Sequence, residues 1–139
     1  MPVRNEDAVI LRFVHLTMKI IEIAFSVYGV PDLPRARRFY EETLGLKPTK
    51  TYVKGDLGMV EYDIGAGTLS IGCGAPLFKP AAGGGVVALE VENFDAAVKR
   101  LREHGVKFLA EPHETPVCHL VTVADPDGNL LLIHKRKPV

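Results

Sequence analysis

Residues 121 to 134 read Val121-Thr-Val-Ala-Asp125-Pro-Asp-Gly-Asn129-Leu-Leu-Leu-Ile-His134, two apolar, β-rich runs joined by a strong turn signal. Pro126 presets φ near about −65°, Gly128 accepts positive φ, and Asp125 and Asn129 can bond the local backbone, so the chain reverses here and pairs the flanking strands. Beyond the turn, alternation puts Leu130, Leu132 and His134 on one face and Leu131 and Ile133 on the other.

Working outward from this hairpin, the same order of elements occurs twice. A strand over Ile20 to Val27 passes through Pro31-Asp32 into a helix over Leu33 to Leu44, where Ala36, Phe39, Tyr40 and Leu44 recur at helical spacing and Gly45 closes the last turn. Extended runs follow at Lys47 to Tyr52, Gly58 to Ile64 and Thr68 to Cys73, with Gly65-Ala-Gly67 as a hairpin turn. After a Pro/Gly linker over 76 to 85 the order restarts. Val86 to Val91 reads as a strand, Asn93 caps a helix from Phe94 to His104, Gly105 closes it, and strands follow at Val106 to Leu109, Val117 to Ala124 and Leu130 to His134. Ala24-Phe-Ser-Val27 rhymes with Ala88-Leu-Glu-Val91, which marks an internal duplication of a βαβββ unit. One unit cannot cover its own sheet face, whereas two can curl their sheets around a shared cavity. Residues 18 to 137 thus form one domain of two modules, 18 to 79 and 84 to 137. Residues 1 to 17 read as an extension, either an extra strand or translation upstream of a native start at Met18, and do not have the pattern of a secretory signal.

Composition narrows the partners. The chain has 139 residues, with Lys+Arg 17 balancing Asp+Glu 17 and no block of like charge, so it offers no electrostatic footprint for nucleic acid or anionic lipid. No apolar run reaches the roughly 20 residues of a membrane-spanning helix. Two cysteines, Cys73 and Cys118, make no disulfide framework and fit a cytoplasmic protein.

Glu22-Ile-Ala-Phe-Ser-Val27, Asp32-Leu-x-x-Ala36-x-x-Phe-Tyr40-x-x-x-Leu44-Gly-Leu46, Val87-Ala-Leu-Glu-Val91 and Asp125-Pro-Asp-Gly-Asn129 together resemble the vicinal oxygen chelate superfamily. That group includes glyoxalase I, extradiol dioxygenases, fosfomycin-modifying enzymes and bleomycin-binding resistance proteins. The resemblance covers about residues 19 to 136. It implies an α+β fold in which two βαβββ modules make a curved, incomplete eight-stranded barrel with external helices, a small-molecule cavity and a homodimer. It does not imply one chemistry.

In the metal-using members four cavity-facing positions hold one divalent ion. The resemblance carries these onto Glu22, Ser70, Val86 and Leu132, of which only Glu22 is a competent ligand. A catalytic site needs at least three protein donors, so no metal and no other cofactor is expected. A relocated ion on Glu90 and His134, with Glu61 or Asp63, would lie about 13 Å and 7 Å along the strands from the inherited positions, at about 3.3 Å per residue. These displacements do not match. Glu90 and His134 read more simply as a strand-end carboxylate and a surface histidine before Lys135-Arg136.

Other chemistry is sparse. Cys118 and His119 face opposite sides of one strand and cannot act together as nucleophile and base. The glycines at 65 to 67 and 83 to 85 lack the context of a phosphate loop. The polar groups expected to face the cavity are Glu22, Ser26, Ser70, Glu90, Cys118, Thr122 and His134. Glu22 stands out: buried without a metal its carboxylate would serve as a general base, and paired with Arg37 or Arg38 it would not. Two functions follow. One is a metal-independent binding protein for a small organic molecule. The other is a glyoxalase-like lyase or isomerase with an altered metal site or with Glu22 as base.

Overall fold

The computed structural model describes residues 22–76, 78–81 and 85–138. The expected extension over residues 1 to 17 and the Met18 start lie outside the described residues, as do positions 20 and 21 of the first expected strand. The fold is α+β, with two mixed sheets and two helical stretches in an open arrangement.

The first module comprises β1 Ser26–Gly29, α1 Leu33–Arg37, β2 Lys50–Lys54, β3 Leu57–Ile64 and β4 Gly67–Cys73. The second comprises β5 Val86–Glu90, α2 Phe94–Glu103, β6 Lys107–Phe108, β7 His113–Glu114, β8 Cys118–Ala124 and β9 Leu130–Arg136. The sheet orders, β1-β4-β3-β2 and β5-β9-β8-β6, are the same, with β1–β4 and β5–β9 parallel and the rest antiparallel. The duplication is therefore one of topology as well as of sequence. The second module's extra strand arises at Pro112, whose missing N–H interrupts the run between β6 and β7 while both pair with β8.

Local chemistry sets the helices. Asp32 caps α1 by accepting the Arg35 N–H at 3.0 Å, and Asn93 caps α2 by accepting the Ala96 N–H at 3.0 Å. The expected continuous helix to Leu44 instead widens into a π-helical segment over Arg38–Thr43, with the Leu44 N–H bonded to the Phe39 carbonyl at 3.0 Å. The wider turn buries both Phe39 and Tyr40, and Tyr40 stacks on Tyr62 of β3.

Each sheet has one face against the helices. Val60, Tyr62, Leu69 and Ile71 fill it in the first module, and Val121, Val123, Leu131 and Ile133 in the second, as one core cluster closed by Leu101. At about 25 cal/mol per Å² of apolar area this shared core dominates stability. The other face of each sheet is free of helices and belongs to the candidate site.

The duplicated registers also align the modules residue by residue. The Val30 N–H bonds the Gly72 carbonyl at 2.8 Å, and the Val91 N–H bonds the His134 carbonyl at 2.9 Å. Val30 is thus the counterpart of Val91, Gly29 of Glu90, Gly72 of His134 and Ser70 of Leu132. Helix caps Asp32 and Asn93 keep the same offset. The rhyme of Ala24–Val27 with Ala88–Val91 is three residues out of register.

Candidate functional site

On the helix-free face of the second sheet the register brings Ala88 and Glu90 of β5, Leu130, Leu132, His134 and Arg136 of β9, and Cys118, Leu120 and Thr122 of β8 onto one surface. Glu90 and His134 are direct cross-strand partners. The His134 Nδ1 lies 2.6 Å from Glu90 Oε1, and Glu90 Oε2 accepts the Arg136 backbone N–H at 2.8 Å. That backbone bond, and then His134, hold the Glu90 carboxyl below the usual range. Two clefts flank the pair. One of about 330 Å³ runs between the modules and includes Glu90, Ser26, Leu69 and Val87, and one of about 520 Å³ includes His134, Cys118, Arg136 and Val117.

The equivalent surface of the first sheet is covered. A Cβ on Gly72 would lie 2.7 Å from the Phe78 ring, and one on Gly29 would lie 2.3 Å from the Lys79 backbone nitrogen. Phe78 and Lys79 of the inter-module linker therefore rest on the two glycines that stand where the second module has Glu90 and His134. Close by, Ser70 is 0% exposed, and its Oγ has no hydrogen-bond partner among the described residues.

The site residues expected from sequence separate into three groups. Ser70, Glu90, Thr122, His134 and Cys118 lie on helix-free faces. Cys118 is nonetheless buried in the β7–β8 corner, its Sγ 3.2 Å from Thr115 Oγ1, so it serves packing. Ser26 pairs with Leu69 and so takes the helix-facing parity, reaching the inter-module cleft from the other side. Glu22 lies four residues before β1 and is exposed, so the buried carboxylate expected there is not found. Its place in the four-position set also fails: by the structural offset, the counterpart of Val86 is Phe25. The set becomes Phe25, Ser70, Val86 and Leu132, which holds no metal ligand of ordinary strength. These residues do not fit a divalent ion. Among the described residues no cluster of three or more His, Cys, Asp or Glu side chains is arranged to hold one elsewhere.

Sequence reasoning paired the strands correctly but gave the turn Asp125 to Asn129 too small a role. Asp125 is buried and accepts the Tyr40 hydroxyl at 2.9 Å, the Asp127 and Asn129 backbone N–H groups at 2.9 and 2.8 Å, and Asn129 Nδ2 at 2.8 Å. Asn129 Nδ2 also donates to the Gly29 carbonyl at 3.1 Å, and Arg35 pairs with Asp127. The turn is a clasp between the modules. Its only advance signal was the pairing of a buried-type Tyr in the helix with a carboxylate in a distant turn.

The family model Glyoxalase/Bleomycin resistance protein/Dioxygenase superfamily matches residues 12–133. Comparison with curated proteins gives no match. Among solved structures, TnmS3, an antibiotic binding protein from Streptomyces sp. CB03234, is similar with a TM-score of 0.69 and 24% identity, covering 87% of this chain and 100% of that one. A member of the glyoxalase/bleomycin resistance protein/dioxygenase superfamily from Sphaerobacter thermophilus DSM 20745 gives a TM-score of 0.67 and 26% identity, covering 84% and 98%. The trypanothione-dependent glyoxalase I of Leishmania major gives 0.68 and 22%, covering 84% and 87%.

Proposed function

This chain belongs to the glyoxalase/bleomycin resistance protein/dioxygenase superfamily, and on that premise we propose that it is a metal-independent protein that binds a small organic molecule between its sheets. The observation that carries the reading is the donor set. Phe25, Ser70, Val86 and Leu132 stand where two matching modules would present ligands to an ion, and three of them are hydrocarbon. A hydroxyl alone cannot retain a divalent metal, whereas apolar walls with few polar groups suit an organic guest. The similarity in fold to an antibiotic binding protein is consistent with this reading. A homodimer is part of the same proposal, supported by the fully exposed edge strand β2 with Tyr52 and Val53 outward, and a cytoplasmic location goes with it, which two free cysteines suit.

Two measurements test it together. Protein purified without chelator is expected to contain far less than one equivalent of Ni, Zn, Mn or Fe. Its melting temperature is expected to rise with at least one aromatic antibiotic in a panel, equally with and without chelator. Stoichiometric metal, or stabilisation that chelator abolishes, overturns the reading.

A further inference from the structure

Glu90 and His134 occupy, in the second module, the two positions that are glycine and linker-covered in the first. Their surroundings point to more than a surface ion pair. Glu90 has both carboxylate oxygens engaged, one by the Arg136 backbone N–H and one by the imidazole. An ionised carboxylate can only accept, so His134 turns Nδ1–H toward Glu90, and in the neutral tautomer that this contact selects Nε2 is the acceptor. His134 lines the cleft of about 520 Å³, whose walls include Pro116, Pro138 and Val117, the last 71% exposed. Arg136 shares the His134 face, and its guanidinium has no hydrogen-bond partner among the described residues. Lys137 is engaged by Glu114 at 2.9 Å. The cleft therefore combines an oriented base, an available cation and apolar walls.

We propose that His134 and Glu90 form a proton-accepting site for an acidic hydroxyl compound, a phenol or enol, seated in this cleft. The ligand O–H bond breaks and an N–H bond forms at His134 Nε2. The electron pair stays on the ligand oxygen as an oxyanion facing Arg136, and Glu90 shares the imidazolium charge. The proposal rests on the small-molecule reading above and names the class of occupant.

The probe is 4-nitrophenol, whose ionised form is yellow, with 4-nitroanisole as the analogue lacking the proton. At a pH below the phenol's own pKa, the wild-type protein is expected to develop saturable nitrophenolate absorbance. It is expected to bind 4-nitroanisole roughly 10- to 100-fold more weakly, the scale of a hydrogen bond to a charged group. H134Q is expected to abolish the yellow signal. E90Q, which keeps the shape but not the charge, is expected to weaken nitrophenol binding about tenfold or more while far-UV circular dichroism stays unchanged. Equal binding of both probes, indifferent to H134Q and E90Q, overturns the proton-accepting site and leaves the binding reading intact. Binding of neither probe overturns the phenol assignment, and the antibiotic panel then judges the wider reading separately.

Discussion

At the scale of single residues, the largest commitments are at Asp125 and Ser70. Asp125 is buried with four donors on its two oxygens, so removing one differs greatly from removing the acceptor itself. Tyr40→Phe is expected to lower unfolding free energy by about 1–3 kcal/mol in urea titration, the range for a bond to a charged partner. Asp125→Ala strands four donors and is expected to cost about 3–5 kcal/mol. Burial, reinforced by Asp125, pushes the Tyr40 hydroxyl far above its ordinary pKa, so it remains a donor throughout the working pH range. Ser70 is the opposite. Its hydroxyl is already unpartnered, so Ser70→Ala is expected to be neutral or stabilising by up to about 1 kcal/mol. The turn chemistry around Pro126 and Gly128 was legible because it depends on local φ preferences. The Asp125 network was not, since Tyr40 is 85 positions away.

At the scale of elements, registers decide which residues share a surface, and a slip of three positions changes the chemistry on offer. The strand, helix and strand order of both modules could be read from hydrophobic periodicity and caps. The relative register of the modules could not, because Ala88-x-x-Val91 matches Ala24-x-x-Val27 at one offset and Val27-x-x-Val30 at the other, and only the ladder bonds at Val30 and Val91 choose between them. The shift of three residues replaces Glu22 with Phe25 and moves attention to Glu90 and His134. The linker's composition marks it only as a spacer, since nothing in it shows that Phe78 and Lys79 lie on Gly72 and Gly29. That packing has a specific consequence. Gly72→Ala places a methyl against the Phe78 ring and is expected to cost about 1–3 kcal/mol by overpacking. Phe78→Ala in the same chain is expected to recover part of it, so a double-mutant cycle should give a coupling of about 0.5–3 kcal/mol. Additive effects would show that the linker does not rest on this sheet.

At the scale of the whole molecule, the two modules are bound through their side chains more than through a continuous ladder. The Tyr28 hydroxyl donates to the Leu130 carbonyl and accepts the Val87 N–H at 2.8 Å, and Asn129 reaches the Gly29 carbonyl. At the far end, the Arg100 guanidinium donates to the carbonyls of Thr43 and Glu42 at 2.7 and 2.8 Å, closing the end of the π-helical segment. These bonds surround a core drawn from both modules, so neither can lose its packing without exposing the other's. Thermal unfolding is therefore expected to be one transition, with calorimetric and van't Hoff enthalpies equal. Its pH dependence carries a further signature of the clasp. Burial raises the Asp127 carboxyl above its ordinary value, with Arg35 pulling the other way. The folded state thus holds that proton more tightly than the unfolded chain. The corresponding stability is fully present below the ordinary carboxyl pKa and is lost as pH rises through the raised one. Glu41, held low first by Arg37, acts with the opposite sign over the acid side of the same range, as do Glu90 and Glu114, so the total slope is a difference of opposed contributions. Subtraction isolates the clasp: between wild type and Asp127→Asn, the gap in melting temperature is expected to shift in favour of Asn as pH rises through this window, then to level off. A gap that is flat with pH would show that Asp127 is solvated and takes no part in the clasp.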